Sequence, residues 1–123
     1  MKKTMLNSNF FTFAQPVAEA GLLKTTITLN PAHDIFKGHF PGQPVVPGVC
    51  MMQMVKEVLE NYADKKLRLV KADNVKFLSF IDPAQHMNVG LEIKFSEIDG
   101  QIKADAQLVN EGIVFLKFKG IFK

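Results

Sequence analysis

Between Pro31 and Pro47 the chain carries four prolines and two glycines, with Gly48 immediately beyond. Proline lacks a backbone N–H and fixes φ, so neither a helix interior nor a central strand accepts such a density. The segment is therefore a structured loop that divides the sequence into an earlier and a later part. Within it Pro41 forces Phe40 into extended geometry and Pro44 does the same to Gln43, while Gly38 and Gly42 permit turns with positive φ. His39 is thereby held on a rigid path in one orientation.

The hydrophobic pattern on either side is readable. Before the loop, FFTFAQPV and GLLKTTITLN read as two strands, the second with Leu23, Thr25, Ile27 and Leu29 alternating with Lys24, Thr26 and Thr28. After it, GVCMMQMVKEVLENYA has no Pro or Gly past Gly48 and sets Met51, Met52, Val55, Val58, Leu59 and Tyr62 on one side at helical spacing. From Leu67 the runs LRLVKADNVKFLSF, MNVGLEIKFSE, QIKADAQLV and IVFLKFKGIFK are β-like. Turn signals separate them at Asp82-Pro83, Ile98-Asp99-Gly100 and Asn110-Glu111-Gly112. Strands joined by tight turns pair antiparallel, which predicts an α+β domain with one long central helix wrapped by a five- to six-stranded antiparallel sheet.

At 123 residues the chain has the length of a single domain, taken as 1–123, and its 47% hydrophobic content suffices for a core. Eleven Phe and six Met, with no Trp, can fill that core or line a greasy pocket. The net charge of +3 comes from scattered lysines, Arg68 being the single arginine. That argues against nucleic acid, for which clustered Arg and Lys are expected, and weakly for an acidic protein partner. No run approaches the ~18 apolar residues of a membrane span, and MKKTMLNSNFFTF lacks the apolar stretch and cleavage site of a secretory leader. The single Cys50 excludes an intrachain disulfide and a multi-cysteine zinc site. These features together predict a cytoplasmic protein. His33, His39 and His86 are widely spaced without paired carboxylates, so neither a metal nor another cofactor is expected.

The start of the helix carries the chemistry. None of Pro44, Val45, Val46 or Pro47 has a side-chain oxygen to cap the first amides, and Pro47 suits the first turn. The N–H groups near Gly48 and Val49 are thus open to a ligand oxygen, and Gly48 lets a substrate approach closely. A histidine base beside unpaired helix-start donors is an arrangement for polarising a carbonyl and moving the proton on its α-carbon. By spacing alone His39 reads as a loop histidine capping a carbonyl, and His33 and His86 as surface or turn residues. Cys50, with nothing cationic beside it except the helix start, reads as a buried structural thiol. Gln53 lies within the otherwise apolar Val49–Val55, so the helix start is expected to be buried on most sides. Gln53 then reads either as a polar residue satisfied by backbone or water at an interface or as a group that orients substrate.

The stretch Gly38 to Val49, GHFPGxPVxPGV, resembles the signature of the 3-hydroxyacyl-acyl-carrier-protein dehydratases, proteins of the hot-dog fold. A weaker similarity continues through the helix and NVKFLSFIDPAQ, covering roughly residues 20 to 120. The resemblance implies a dimer with acyl tunnels at the subunit interface. It implies His39 as the catalytic histidine, Gly48 as the glycine whose amide binds the thioester carbonyl, and Phe40, Pro47 and Val49 as lining of the acyl pocket. The second catalytic position, a glutamate or aspartate in the family, falls at Gln53, and an amide can orient a hydroxyl or water but cannot protonate it as a carboxyl does. The family's Pro-Gly-Asp turn is altered to Pro83-Ala84-Gln85.

The activity so implied is that of a lyase, dehydrating a 3-hydroxyacyl thioester to the trans-2-enoyl form in fatty acid or related acyl-chain biosynthesis, and hydrating it in reverse. The substrate would be carried on acyl carrier protein or CoA. Two rivals use the same pocket: a thioesterase, in which the helix-start amides polarise a thioester for attack by water, and a non-catalytic acyl-binding subunit paired with an active dehydratase.

Overall fold

The computed structural model describes residues 10–32 and 45–123. Among these described residues seven strands and one helix follow in the order β1 (Phe11–Phe13), β2 (Val17–Glu19), β3 (Leu22–Leu29), α1 (Gly48–Ala63), β4 (Leu69–Phe77), β5 (Asn88–Ile98), β6 (Gln101–Asn110) and β7 (Ile113–Phe122). All pair into one antiparallel sheet in the order β1-β3-β5-β6-β7-β4, with β2 also on β3. The strand count exceeds the expected five or six because FFTFAQPV is broken around Pro16 into two short strands, both paired to β3. Proline cannot donate to the ladder at that point.

The hairpins β5–β6 and β6–β7 close through two-residue turns, Asp99-Gly100 and Glu111-Gly112, with φ of 53° and 77° and of 50° and 82°. Positive φ at both positions gives a backbone twist that matches the flanking strands, and glycine at the second carries no steric cost. Side chains then alternate between faces: Leu23, Ile27 and Leu29 of β3 and Ile102, Ala104, Ala106 and Leu108 of β6 are buried, with polar residues between them. β7 departs from alternation at Phe115 and Leu116, both buried, where its register to β6 shifts between Leu108 and Val109. The Phe115 carbonyl instead accepts the N–H groups of Leu78 at 2.9 Å and Ser79 at 3.4 Å. This bulge fixes where the chain leaves β4.

α1 buries Cys50, Met51, Met54, Val55, Val58 and Leu59 in the same core as the inner residues of the sheet. Each such side chain contributes roughly 1.5–3 kcal/mol when fully buried, so tertiary packing holds the helix more than its own propensity does. The buried face is rotated from the one read in the sequence. Cys50 and Met54 join Met51, Val55, Val58 and Leu59 on it, and Tyr62 lies at the margin, edge-on to Phe95 at 4.8 Å. The helix ends at Asp64 in the left-handed conformation, where its N–H reaches the Glu60 carbonyl.

β4 forms one edge of the sheet, and all nine of its residues are exposed, with register shifts against β7 on either side of Val70 and Asp73. Among the described residues no helix is long and apolar enough to cross a membrane.

Candidate active site at the start of the helix

Pro47 is the N-cap of α1 with extended geometry, φ −61° and ψ 145°, and no side chain caps the helix. Its carbonyl accepts the N–H groups of Cys50 at 3.0 Å and Met51 at 3.3 Å. The amides of Gly48 and Val49, which precede these, meet no acceptor among the described residues. Proline supplies no hydroxyl or carboxylate at the position where helices normally take one, so the cap itself does not take up these donors.

The helix start opens on an apolar cavity of about 520 Å³, lined by Val45, Val46, Pro47, Gly48, Met51, Phe77, Leu78, Ser79 and Phe80. Two connections set its walls: the Val46 N–H donates to the Ile81 carbonyl at 3.0 Å, and the Phe115 bulge holds Leu78 and Ser79. The room left by the absent Gly48 side chain is taken by the Phe77 ring, whose Cζ would stand 2.8 Å from a Cβ there. Phe77 is 53% exposed, so this ring covers the helix start from the solvent side. A larger hollow of about 630 Å³ beside β2 and β3 lies among Val17, Glu19, Lys24, Lys94 and Phe95 and contains no residue of the motif.

The predicted site residues are distributed unevenly. Pro47 and Gly48 line the cavity. Val49 does not: it is 74% exposed, while Cys50, Met51, Met54 and Val55 are buried and Met52 and Gln53 half-buried, so the helix start is buried on most sides except at Val49. Gln53 is partly buried further along the helix, and its Nε2 donates to Glu57 Oε2 at 2.9 Å. His39, Phe40 and His33 lie outside the described residues. His86 follows the Pro83-Ala84-Gln85 turn, edge-on to Phe115 at 5.4 Å, and is not among the residues lining the cavity. That turn is closed by Asp82, whose Oδ1 accepts the Ala84 N–H at 2.9 Å and whose carbonyl accepts the Gln85 and His86 N–H groups. Cys50 is buried, and burial pushes its thiol above the usual value because a thiolate there would lose its hydration. Among the described residues no three His, Cys, Asp or Glu side chains come together to hold a metal ion.

Sequence reasoning passed over Glu57, the single charged side chain buried among the described residues. Its position carried a signal. It lies seven residues after Cys50 and three after Met54, on the inward side of a 3.6-residue helix, and four after Gln53.

A long helix packed in an antiparallel sheet, as the described residues form it, is shared with solved structures. The dehydratase heterocomplex ApeI:P from Xenorhabdus doucetiae matches with a TM-score of 0.67 over 91% of this chain and 95% of that one, at 22% identity. A putative thioesterase, yhdA from Lactococcus lactis, matches with a TM-score of 0.64 over 97% and 94%, at 9% identity. At such identities the likeness is one of fold, and the fold is the hot-dog. A closer relative in sequence is the 3-hydroxyacyl-[acyl-carrier-protein] dehydratase FabZ of Protochlamydia amoebophila, 31% identical over 99 residues, or 75% of this chain. The alignment spans 62% of that relative's length. Residues 15–113 match the ApeI-like family, described as the ApeI dehydratase, and the chain belongs to that family.

Proposed function

We propose that this protein interconverts 3-hydroxyacyl and trans-2-enoyl thioesters, working as a dimer in the cytoplasm with the whole chain as one domain. The observation that carries the reading is the uncapped helix start at Gly48 opening on an apolar cavity of about 520 Å³. It offers N–H donors to a carbonyl oxygen beside a space that accepts an acyl chain. In dehydration, neutral His39 takes the α-proton while the Gly48 amide holds the negative charge that gathers on the thioester oxygen. The C3–O bond then breaks, with Gln53 orienting the departing oxygen. His39 returns its proton to that oxygen, so that water leaves. Without a carboxyl at position 53, the loss of general acid catalysis slows turnover by about a hundredfold or more.

Support for assembly comes from β4. Its edge and both its faces are exposed, and Val75, Phe77, Leu78 and Phe80 form an apolar margin continuous with the cavity mouth. Such an edge is normally covered by another strand or chain. The choice between acyl carrier protein and CoA as carrier is open to direct assay.

The test is incubation of purified protein with a 3-hydroxyacyl and an enoyl thioester. Interconversion that is lost in His39→Ala and retained in His33→Ala and His86→Ala is the expected result. Release of free thiol instead identifies a thioesterase. Neither reaction from a folded dimer leaves the acyl-binding partner subunit and refutes the proposal.

A further inference from the structure

Gln53 is not a free amide. Its Nε2 donates to Oε2 of Glu57, one turn along α1, at 2.9 Å, and Glu57 is only 4% exposed. A buried carboxyl is costly unless hydrogen-bonded, so core packing alone does not favour it at this position. One further turn along, Asn61 buries its Oδ1 without a hydrogen-bond partner among the described residues. Gln53, Glu57 and Asn61 thus make a polar line at four-residue intervals down one side of an otherwise apolar helix face.

The pairing decides what Gln53 can offer. A primary amide has its oxygen and nitrogen on opposite sides of Cδ, and a carboxylate accepts hydrogen bonds but gives none. Glu57 therefore claims the nitrogen and leaves Oε1 on the side away from itself. A Gln53 without this neighbour would present either end to a ligand. We propose that Glu57 is a positioning residue that locks Gln53 as a hydrogen-bond acceptor, so that the site selects acyl chains with a donor at C3, the 3-hydroxyacyl chains, over 3-oxoacyl chains. The selection rests on the dehydratase reading above for the class of ligand. Its physical basis is independent of turnover: a 3-hydroxyl gives its proton to Oε1, whereas a 3-oxo oxygen meets a second acceptor with no proton between them.

The experiment measures binding of two unreactive analogues, a 3-hydroxyacyl and a 3-oxoacyl pantetheine in which nitrogen replaces the thioester sulfur, by calorimetry. Wild type should prefer the hydroxyl analogue by about tenfold, the scale of one well-placed hydrogen bond against an unpaired acceptor. Glu57→Gln is nearly isosteric and can pair with either end of Gln53, so the preference should fall to about twofold or less with melting temperature and sedimentation little changed. Combining Gln53→Glu with Glu57→Gln exchanges the two groups, and at a pH high enough to keep the carboxyl at position 53 ionised it again presents only acceptors, which should restore the preference. A purely structural Glu57 predicts no such rescue. Equal binding of the two analogues by wild type overturns the inference without any variant, as does an undiminished preference in Glu57→Gln. If wild type discriminates but does not interconvert the true thioesters, the proposed function falls and the role of Glu57 stands. If it interconverts them without discriminating, the reverse holds.

Discussion

Gly48→Ala should change the sign of its effect according to what occupies position 77. A Cβ on Gly48 would lie 2.8 Å from Phe77 Cζ and 3.0 Å from Cε1, which is about 1 Å inside the ~3.5–4.0 Å optimum for carbon atoms. Overpacking of this kind costs about 1–3 kcal/mol. The half-exposed ring can swing outward, which places the cost near the middle of that range or below. Against it stands the better helix propensity of alanine, up to about 1 kcal/mol. In the wild-type background the substitution should therefore destabilise by roughly 1 kcal/mol. In a Phe77→Ala background the clash is gone and the same substitution should stabilise by up to about 1 kcal/mol, a coupling of roughly 2 kcal/mol between the two sites. With no Trp and one Tyr in the chain, urea unfolding is best followed by far-UV circular dichroism, with all four proteins at one concentration. An effect of Gly48→Ala that agrees within ~0.5 kcal/mol in both backgrounds would show that the ring does not fill the glycine's space.

Two further outcomes can be measured on the same material. The raised Cys50 thiol means that the folded chain holds its proton to higher pH than the unfolded one, so this group's contribution to stability is complete below the ordinary value of 9.0 and declines as pH rises beyond it. Urea midpoints measured between about pH 8 and pH 10 should fall more steeply for wild type than for Cys50→Ala, and equal slopes would contradict the burial argument. For the assembly, wild type should sediment at twice the chain mass of 13.8 kDa, and Val75→Lys or Phe80→Asp at the chain mass with unchanged circular dichroism. A wild type that is monomeric at micromolar concentration would remove β4 as an interface.

The parts of the fold legible in the sequence were those governed by local rules. The helix runs over the same sixteen residues that the spacing picked out, Gly48 to Ala63. The alternation in β3 and the turns at Asp99-Gly100 and Glu111-Gly112 fall where short-range pattern placed them. What escaped was set by partners distant in sequence. The bulge at Phe115 depends on how β7 meets β6 and the chain after β4, and the break around Pro16 depends on both halves finding β3. In the site, the uncapped Pro47-Gly48 start was visible because the residues before it lack side-chain oxygens. The Phe77 ring over Gly48 was not, since nothing local brings residue 77 to residue 48. Val49 was assigned to the pocket from the motif; within one chain it is 74% exposed and is not among the residues lining the cavity. Glu57 was hidden by its charge, which reads as solvated until the rotation of the helix is known.

The pairing of β3 with β5 has a bearing on how the chain is made. β3 ends at Leu29 and its partner begins at Asn88, with the whole of α1 synthesised between them. A ribosome releases these elements in order, so the β2–β3 hairpin, closed by Ala20-Gly21, can pair early, whereas Leu23, Ile27, Met54 and Val58 emerge before β5 is there to cover them. β5, β6 and β7, by contrast, are joined by two-residue turns and can pair as soon as they appear, because closing so short a loop costs little entropy. The β3–β5 ladder, which joins the amino-terminal strands to the rest of the sheet, is the pairing that must wait for the last third of the polypeptide.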